Sequence, residues 1–418
     1  YGSHRFHPQA EPEVMQDIAR LLGDDLLLRP RHGRIRLGGR WVHFPLKPLD
    51  ALLNLPFLFT LALLRDALAK PFARSQGPRT FASVLYRGLG RTIAENFYFP
   101  YVSKLWGRRP TELSVTLAER RVASGSVLKI LLKMAKMIPG LRGPTTGRFY
   151  YPRRGFGQIT ERLAEAAVEQ GAELALDTTV KCIEWDEQRV EAVVLQTGDN
   201  ERRIENPILL STIPLTALTG LFHPPPPQDV IDAAHSIEFR GMILIYLVLE
   251  SDQFSEFDAH YFPELSVPIS RMSEPKNYSA AMEPDGVTVL CAELPCDPGE
   301  RWWSLSDEEF VPLMQEWLSS VDLPITCAVR SCRVRRLAHA YPVYSVGYEK
   351  HLETVDDWSL ALEGLVSFGR QGLFAHDNSH HAIAMAYAVD DCLNRRGEFD
   401  AARWADYRRE FLDHTVED

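Results

Sequence analysis

Residues 363–393, EGLVSFGRQGLFAHDNSHHAIAMAYAVDDCL, read as a strand that runs through a glycine turn into a helix. Leu365, Val366 and Phe368 form a buried strand, and Gly369-Arg370 makes the turn. Asn378 or Ser379 supplies the short side-chain oxygen that caps a helix. Ile383, Ala386, Val389 and Leu393 then recur along one helical face. A strand, a turn and a capped helix aim N–H donors and the positive end of a helix dipole at one place. An anionic or electron-rich group suits such a place, for instance a pyrophosphate or the pyrimidine edge of a flavin. A plain strand–loop–helix of an α/β core has the same pattern, so this stretch alone does not choose.

The rest of the chain supplies the layers. Residues 11–27 read as a short helix stopped at Gly23, and RIRL-Gly38-Gly39-RWVHFPL as a half-buried hairpin. Helical patterning dominates from about 49 to 135, with breaks at Pro71, Gly77-Pro78 and Pro110. From Tyr150 a loop, YYPRRGFG, leads into an amphipathic helix over 158–170. Four short strands are expected at 173–176, 179–185, 190–197 and 208–212. Pro224 to Pro227 reads as a linker. Strands at 242–250, 287–294 and 328–335, with a helix at 307–319, then read as an antiparallel sheet covered on one face.

At 418 residues the chain is long for one core and points to two or three domains. A net charge of −10 argues against nucleic acid as a partner. The six cysteines include no C-x-x-C pair, and they read as reduced buried thiols of a cytoplasmic protein. The apolar run 46–64 contains Asp50, Asn54 and Pro56, which makes it a poor bilayer span. That run and the amphipathic stretch 127–141 read either as helices packed on a core or as a patch touching a membrane surface. His339, His376, His380 and His381 come with no carboxylate triad, and the expectation is no metal.

Five separated segments carry a resemblance: GSHRFHP at the start, GGRWVHFPLKP at 38–48, FPYVSKLWGRRPTEL at 99–113, YPRRGFGQITERLA at 151–164 and the late GRQGLFAHDNSHHAIAMAYAVDD. Together they resemble the flavin amine oxidase and protoporphyrinogen oxidase-like superfamily, including its branch toward UDP-galactopyranose mutase. The resemblance implies FAD and a fold class: an α/β, Rossmann-like FAD-binding domain incomplete at its N-terminus, with an α+β substrate domain and a helical subdomain. It implies a discontinuous FAD domain at 1–12, 151–216 and 360–398, a mostly helical subdomain at 13–150 and an antiparallel-sheet substrate domain at 217–359. Proteins of this kind carry G-x-G-x-x-G in an N-terminal βαβ unit. This sequence has no such motif, and the resemblance implies that a unit of on the order of 30–50 residues is missing before Tyr1.

Residue by residue, the resemblance lays Gly2, Ser3, His4 and Arg5 along the isoalloxazine. Val180 stands at the adenine, and Ser211, Thr212 and Pro214 at a strand end near the adenosine. Gly369 and Arg370 face ribityl and phosphate. Asn378, His380, His381 and Ile383 belong to the helix start facing the pyrimidine, with His380 standing where many relatives have Asp. Trp106, Arg153, Arg154, Tyr341 and Tyr344 are candidates for the substrate cleft between domains. For each the plain alternative is structural: a core aromatic at Trp106, solvated charge at Arg153 and Arg154, an edge strand at Tyr341 and Tyr344. The activity implied is flavin-mediated hydride abstraction from a small-molecule substrate. A non-redox flavin mutase acting on a nucleotide sugar, or an inactive fragment, is the alternative.

Overall fold

The computed structural model describes residues 2–44, 59, 61–63, 65–66, 79–121, 147–279 and 283–416. The helical expectations at 46–64 and 127–141 fall almost wholly outside these residues. Among the described residues no helix is long and apolar enough to cross a membrane. The chain divides into two compact units, Tyr1–Gln9 with Met15–Glu161 and Arg240–Tyr341, and Ala10–Val14 with Arg162–Phe239 and Pro342–Asp418.

The first unit is built on a seven-stranded sheet. Its order is Val329–Val343, Glu238–Leu249, Thr288–Pro295, Arg271–Ser273, Ala259–Tyr261, Gly33–Leu37 and Arg40–Phe44. The register explains its two faces, because side chains alternate along a strand. Met242 opposes Pro295 and Leu249 opposes Thr288, so Ile243, Ile245, Leu247 and Leu249 share one face with Leu290, Ala292 and Leu294. Helix Phe310–Ser319 covers that face with Phe310, Met314, Trp317 and Leu318. Each such side chain taken from water contributes roughly 1.5–3 kcal/mol. The opposite face carries Tyr246, Cys291, Glu293, Arg271 and Ser273, and there the candidate residues of the chain's start are held. The hairpin 33–44 forms as expected, with Gly33 opposite Phe44, and Ala259–Tyr261 adds parallel to it.

The second unit has a four-stranded sheet, Asn200–Glu205, Val190–Thr197, Thr178–Trp185 and Phe222–His223 in that order. Two further strands, Leu209–Ser211 and Leu365–Ser367, pair in parallel. Helix Ser379–Asp391 buries Met385, Ala388 and Val389 with Val366, Cys392, Trp404 and Phe411.

Several expectations are corrected. The strand at 173–176 does not form; Leu174 and Leu176 are 57% and 71% exposed, so its alternation has no core to face. The loop expected at 150–157 begins as strand Arg148–Pro152, paired with an unforeseen strand Leu26–Pro30 that takes up the end of the stretch 11–27. The opening helix ends at Leu22, before the stop expected at Gly23. Pro224–Pro227 is followed at once by helix Gln228–Ser236, and the division between units falls after Phe239 instead. The hairpin, expected within a helical subdomain, belongs to the large sheet. On the late helix the buried stripe runs through Met385 and Ala388; Ile383 and Ala386 are only partly buried, since the packed side is turned by about one position.

Candidate functional site

In the first unit the opening residues lie on the polar face of the sheet. Phe6 and Tyr150 exchange backbone hydrogen bonds of 3.0 and 2.8 Å, which sets the direction of the segment. Gly2, with φ of 84°, donates its N–H to the Tyr246 hydroxyl at 3.2 Å. The Ser3 N–H donates to Glu293 Oε1 at 3.0 Å, and its hydroxyl meets that of Ser273 at 2.5 Å. Glu293 also takes both arms of Arg271, at 2.8 and 3.1 Å, a bidentate pair that the strand register places directly opposite. Burial alone would push the Glu293 carboxyl up; the Arg271 guanidinium more than offsets this and holds it below the ordinary carboxylate range. Arg5 donates to the hydroxyls of Tyr261 and Tyr278 at 3.3 and 3.2 Å and to Asp258 at 3.4 Å. Its guanidinium lies 5.1 and 5.0 Å from the ring centroids of Phe149 and Tyr278. Gly2, Ser3 and Arg5 are thus held by a network that sequence reading missed. A Glu inside the otherwise apolar run Val289–Leu294 was the signal, since a charge there needs a partner.

The cleft candidates of this unit are spread out. Trp106 is 1% exposed at the end of helix Phe99–Trp106, with the Tyr341 ring 6.1 Å away and Arg121 over its own ring. Arg153 donates to Asp25 Oδ1 and to the Asp24 carbonyl, both at 3.2 Å. Arg154 uses its backbone N–H toward Gln158 and keeps an exposed side chain. The two guanidiniums therefore do not form a matched clamp as they stand.

In the second unit the late candidates come together. Strands Leu209–Ser211 and Leu365–Ser367 run parallel, so their carboxyl ends, Ser211 and Ser367, lie side by side. The Phe368 N–H donates to the Ser211 carbonyl at 2.9 Å, bringing the two exits into register. Gly369 has φ of 75°, and a Cβ on Gly372 would come within 3.0 Å of the Ser211 carbonyl oxygen. Glycine avoids backbone strain at the first position and crowding against backbone at the second. Thr212 sits beside Gly369, Arg370 follows it, and Pro214 precedes the short helix Leu215–Thr219. Val180 lies in strand Thr178–Trp185, partly buried.

Asn378 is the N-cap of helix Ser379–Asp391, as expected, and its N–H donates to His381 Nδ1 at 3.3 Å. His380 and His381 are buried in the first turn, their ring centroids 4.1 Å apart. Tyr344 is 1% exposed and pins the approach to this helix: its hydroxyl donates to the Phe374 carbonyl at 3.0 Å and accepts the His376 N–H at 2.9 Å. Two members escaped the sequence reading. Asp377 is buried beside the cap, and His414 brings Nδ1 to 3.0 Å from Asp377 Oδ2. His414 lies 37 residues further on in a polar tail, so no spacing motif could link the two.

Residues 1–380 match the family described as flavin containing amine oxidoreductase. Among solved structures, reduced UDP-galactopyranose mutase is similar with a TM-score of 0.77 at 18% identity, over 100% of this chain and 88% of that one. A protein assigned as protoporphyrinogen oxidase from Exiguobacterium sp. 255-15 gives 0.65 at 18% identity, over 90% and 83%. Cyclohexylamine oxidase from Brevibacterium oxydans IH-35A gives 0.58 at 16% identity, over 98% and 88%. At these identities the solved structures speak for the fold, and the family match over most of the chain speaks for descent. The chain belongs to the flavin-containing amine oxidoreductase family, whose cofactor is FAD.

Proposed function

We propose that the protein is an FAD-dependent oxidoreductase that removes a hydride from a small-molecule substrate, at a C–H next to nitrogen or within an apolar or glycosyl compound. The observation that carries this reading is the paired exit of two parallel strands at Ser211 and Ser367, followed by the bare glycine turn and the capped helix. In parallel α/β sheets ligands lie beyond the carboxyl ends of the strands. The close backbone approach at Gly369 and Gly372 fits the ribityl and phosphate part of the cofactor, with Arg370 as the adjoining cation. The start of helix Ser379–Asp391 fits the pyrimidine edge, because its positive dipole end favours the negative charge of a reduced ring. Val180, Ser211 and Thr212 are assigned to the adenosine side. FAD, when bound, supplies the hydride acceptor. The protein's share is to orient the substrate and hold charge, and no side-chain general base is invoked.

The test is an absorption spectrum of the purified chain with added FAD, then peroxide release with primary and secondary amines and with porphyrinogens. A bound-flavin spectrum with amine- or porphyrinogen-dependent peroxide supports the reading. A protein that stays colourless in excess FAD removes it. Sugar isomerisation that appears only after dithionite reduction would replace it with mutase chemistry.

A further inference from the structure

We infer that Asp377, His381 and His414 form a binding site for one divalent transition-metal ion of the zinc class. The three side chains come from the residue before the N-cap, the first turn of helix Ser379–Asp391, and the segment after Phe411–Asp413. One ligand atom from each lies within 4.8 Å of the other two. The carboxylate is the centre of the group: His414 Nδ1 is 3.0 Å from Asp377 Oδ2, and His381 Nδ1 is 4.0 Å from Asp377 Oδ1. Both imidazoles thus turn the same nitrogen toward one carboxylate whose side chain is wholly removed from water. A carboxylate so placed is costly to desolvate, and a dication between it and the two rings would offset that cost.

The donor set selects the ion. Two imidazole nitrogens and one carboxylate oxygen suit zinc, cobalt or nickel, whereas magnesium and calcium take mostly oxygen ligands in larger number. Metal–ligand bonds of about 2.0–2.2 Å place ligand atoms of a tetrahedral zinc roughly 3.3 Å apart, so the cluster must contract by about an ångström. The His381 and His414 rings now stack at 4.1 Å with 13° between their planes. They must splay for each lone pair to reach the ion, and His414, only partly buried, is the ring that turns. The His381 nitrogen would exchange its 3.3 Å contact with the Asn378 N–H for the metal. Three protein ligands leave a fourth position for water. The ion would tie the segment carrying His414 to the start of the helix, and nothing in this inference depends on the flavin reading.

The experiment is equilibrium dialysis of the chelator-treated, untagged full chain against zinc, with metal counted by elemental analysis, for wild type, H414A, D377N and the double variant H32A/H43A. The last removes a second close histidine pair, 3.2 Å apart. Expected is one zinc per chain, an affinity about 100-fold weaker in H414A and D377N, retention in H32A/H43A, and no competition by excess magnesium. Zinc should also raise the melting temperature of wild type but not of H414A, whose far-UV circular dichroism stays that of wild type. No stoichiometric zinc in the wild type would overturn the inference, as would full binding by well-folded H414A or loss of binding in H32A/H43A alone.

Discussion

Lys104, in the last turn of helix Phe99–Trp106, has its ammonium buried among three carbonyl oxygens, those of Phe262, Glu264 and Ile269 at 2.5, 2.6 and 3.1 Å. Burial pushes its pKa from the ordinary 10.5 down to about 7, only partly opposed by the charge of Glu264. Between those values the unfolded chain holds a proton that the folded chain gives up, so stability rises with pH from about 7 toward 10.5. Urea midpoints measured across that range should climb in wild type and lose this climb in K104M. The same variant should be less stable by about 1–3 kcal/mol at neutral pH, because buried carbonyls lose their donor. Glu293 shows the same sign in a more acidic window. Its folded pKa is depressed, so the stability it contributes is present above the ordinary carboxylate pKa and is lost as pH falls through the lower folded value. Arg271→Met leaves that carboxylate buried without its cation and should cost about 3–5 kcal/mol in urea denaturation at neutral pH. A loss within experimental error would mean that the pair contributes nothing to the fold.

At the scale of elements, the approach to helix Ser379–Asp391 is set by a tyrosine that precedes it in the chain. Tyr344 binds the Phe374 carbonyl and the His376 N–H through one hydroxyl. Tyr344→Phe keeps the ring packing against Tyr348 and Phe374 but orphans both backbone groups. It should lower stability by about 1–3 kcal/mol, and hydrogen exchange at 374–378 should speed up while the core of the helix stays protected. Uniform acceleration along the whole helix would show that the hydroxyl acts globally. The helix itself was legible in the sequence, because Asn378 caps it and the apolar period is sustained. So were the hairpin at 33–44 and the strands around 180 and 190, where alternation coincides with good turn residues. What could not be read was pairing. Leu26–Pro30 is a strand only because Arg148–Pro152 lies beside it, more than a hundred residues later. Leu174 and Leu176 have the right alternation but no face to bury, and local pattern carries no information on that. The polar network around Glu293 and the Asp377–His414 contact escaped for the same reason: both are made by tertiary closure of distant segments.

At the largest scale the question is what these 418 residues, of net charge −10, offer a dinucleotide bearing a pyrophosphate. The usual device, a glycine-rich turn that presents a row of N–H groups to the phosphates, needs G-x-G-x-x-G, and these 418 residues do not contain it. In the proposed site these residues bring Arg370 and the bare turn at Gly369 to the phosphate side, against the repulsion of their own anionic field. The share of the grip that these 418 residues supply should therefore rest mainly on the ring and ribityl end, which riboflavin shares with FAD. Titration of flavin fluorescence with this 418-residue chain should give FAD only a small advantage over riboflavin, about tenfold or less, a difference of about 1.4 kcal/mol. That advantage should shrink as salt is added, since it is electrostatic, and Arg370→Ala should abolish it while leaving riboflavin affinity nearly unchanged. A preference for FAD of several orders of magnitude, insensitive to salt and to R370A, would mean that the pyrophosphate is gripped by residues other than these.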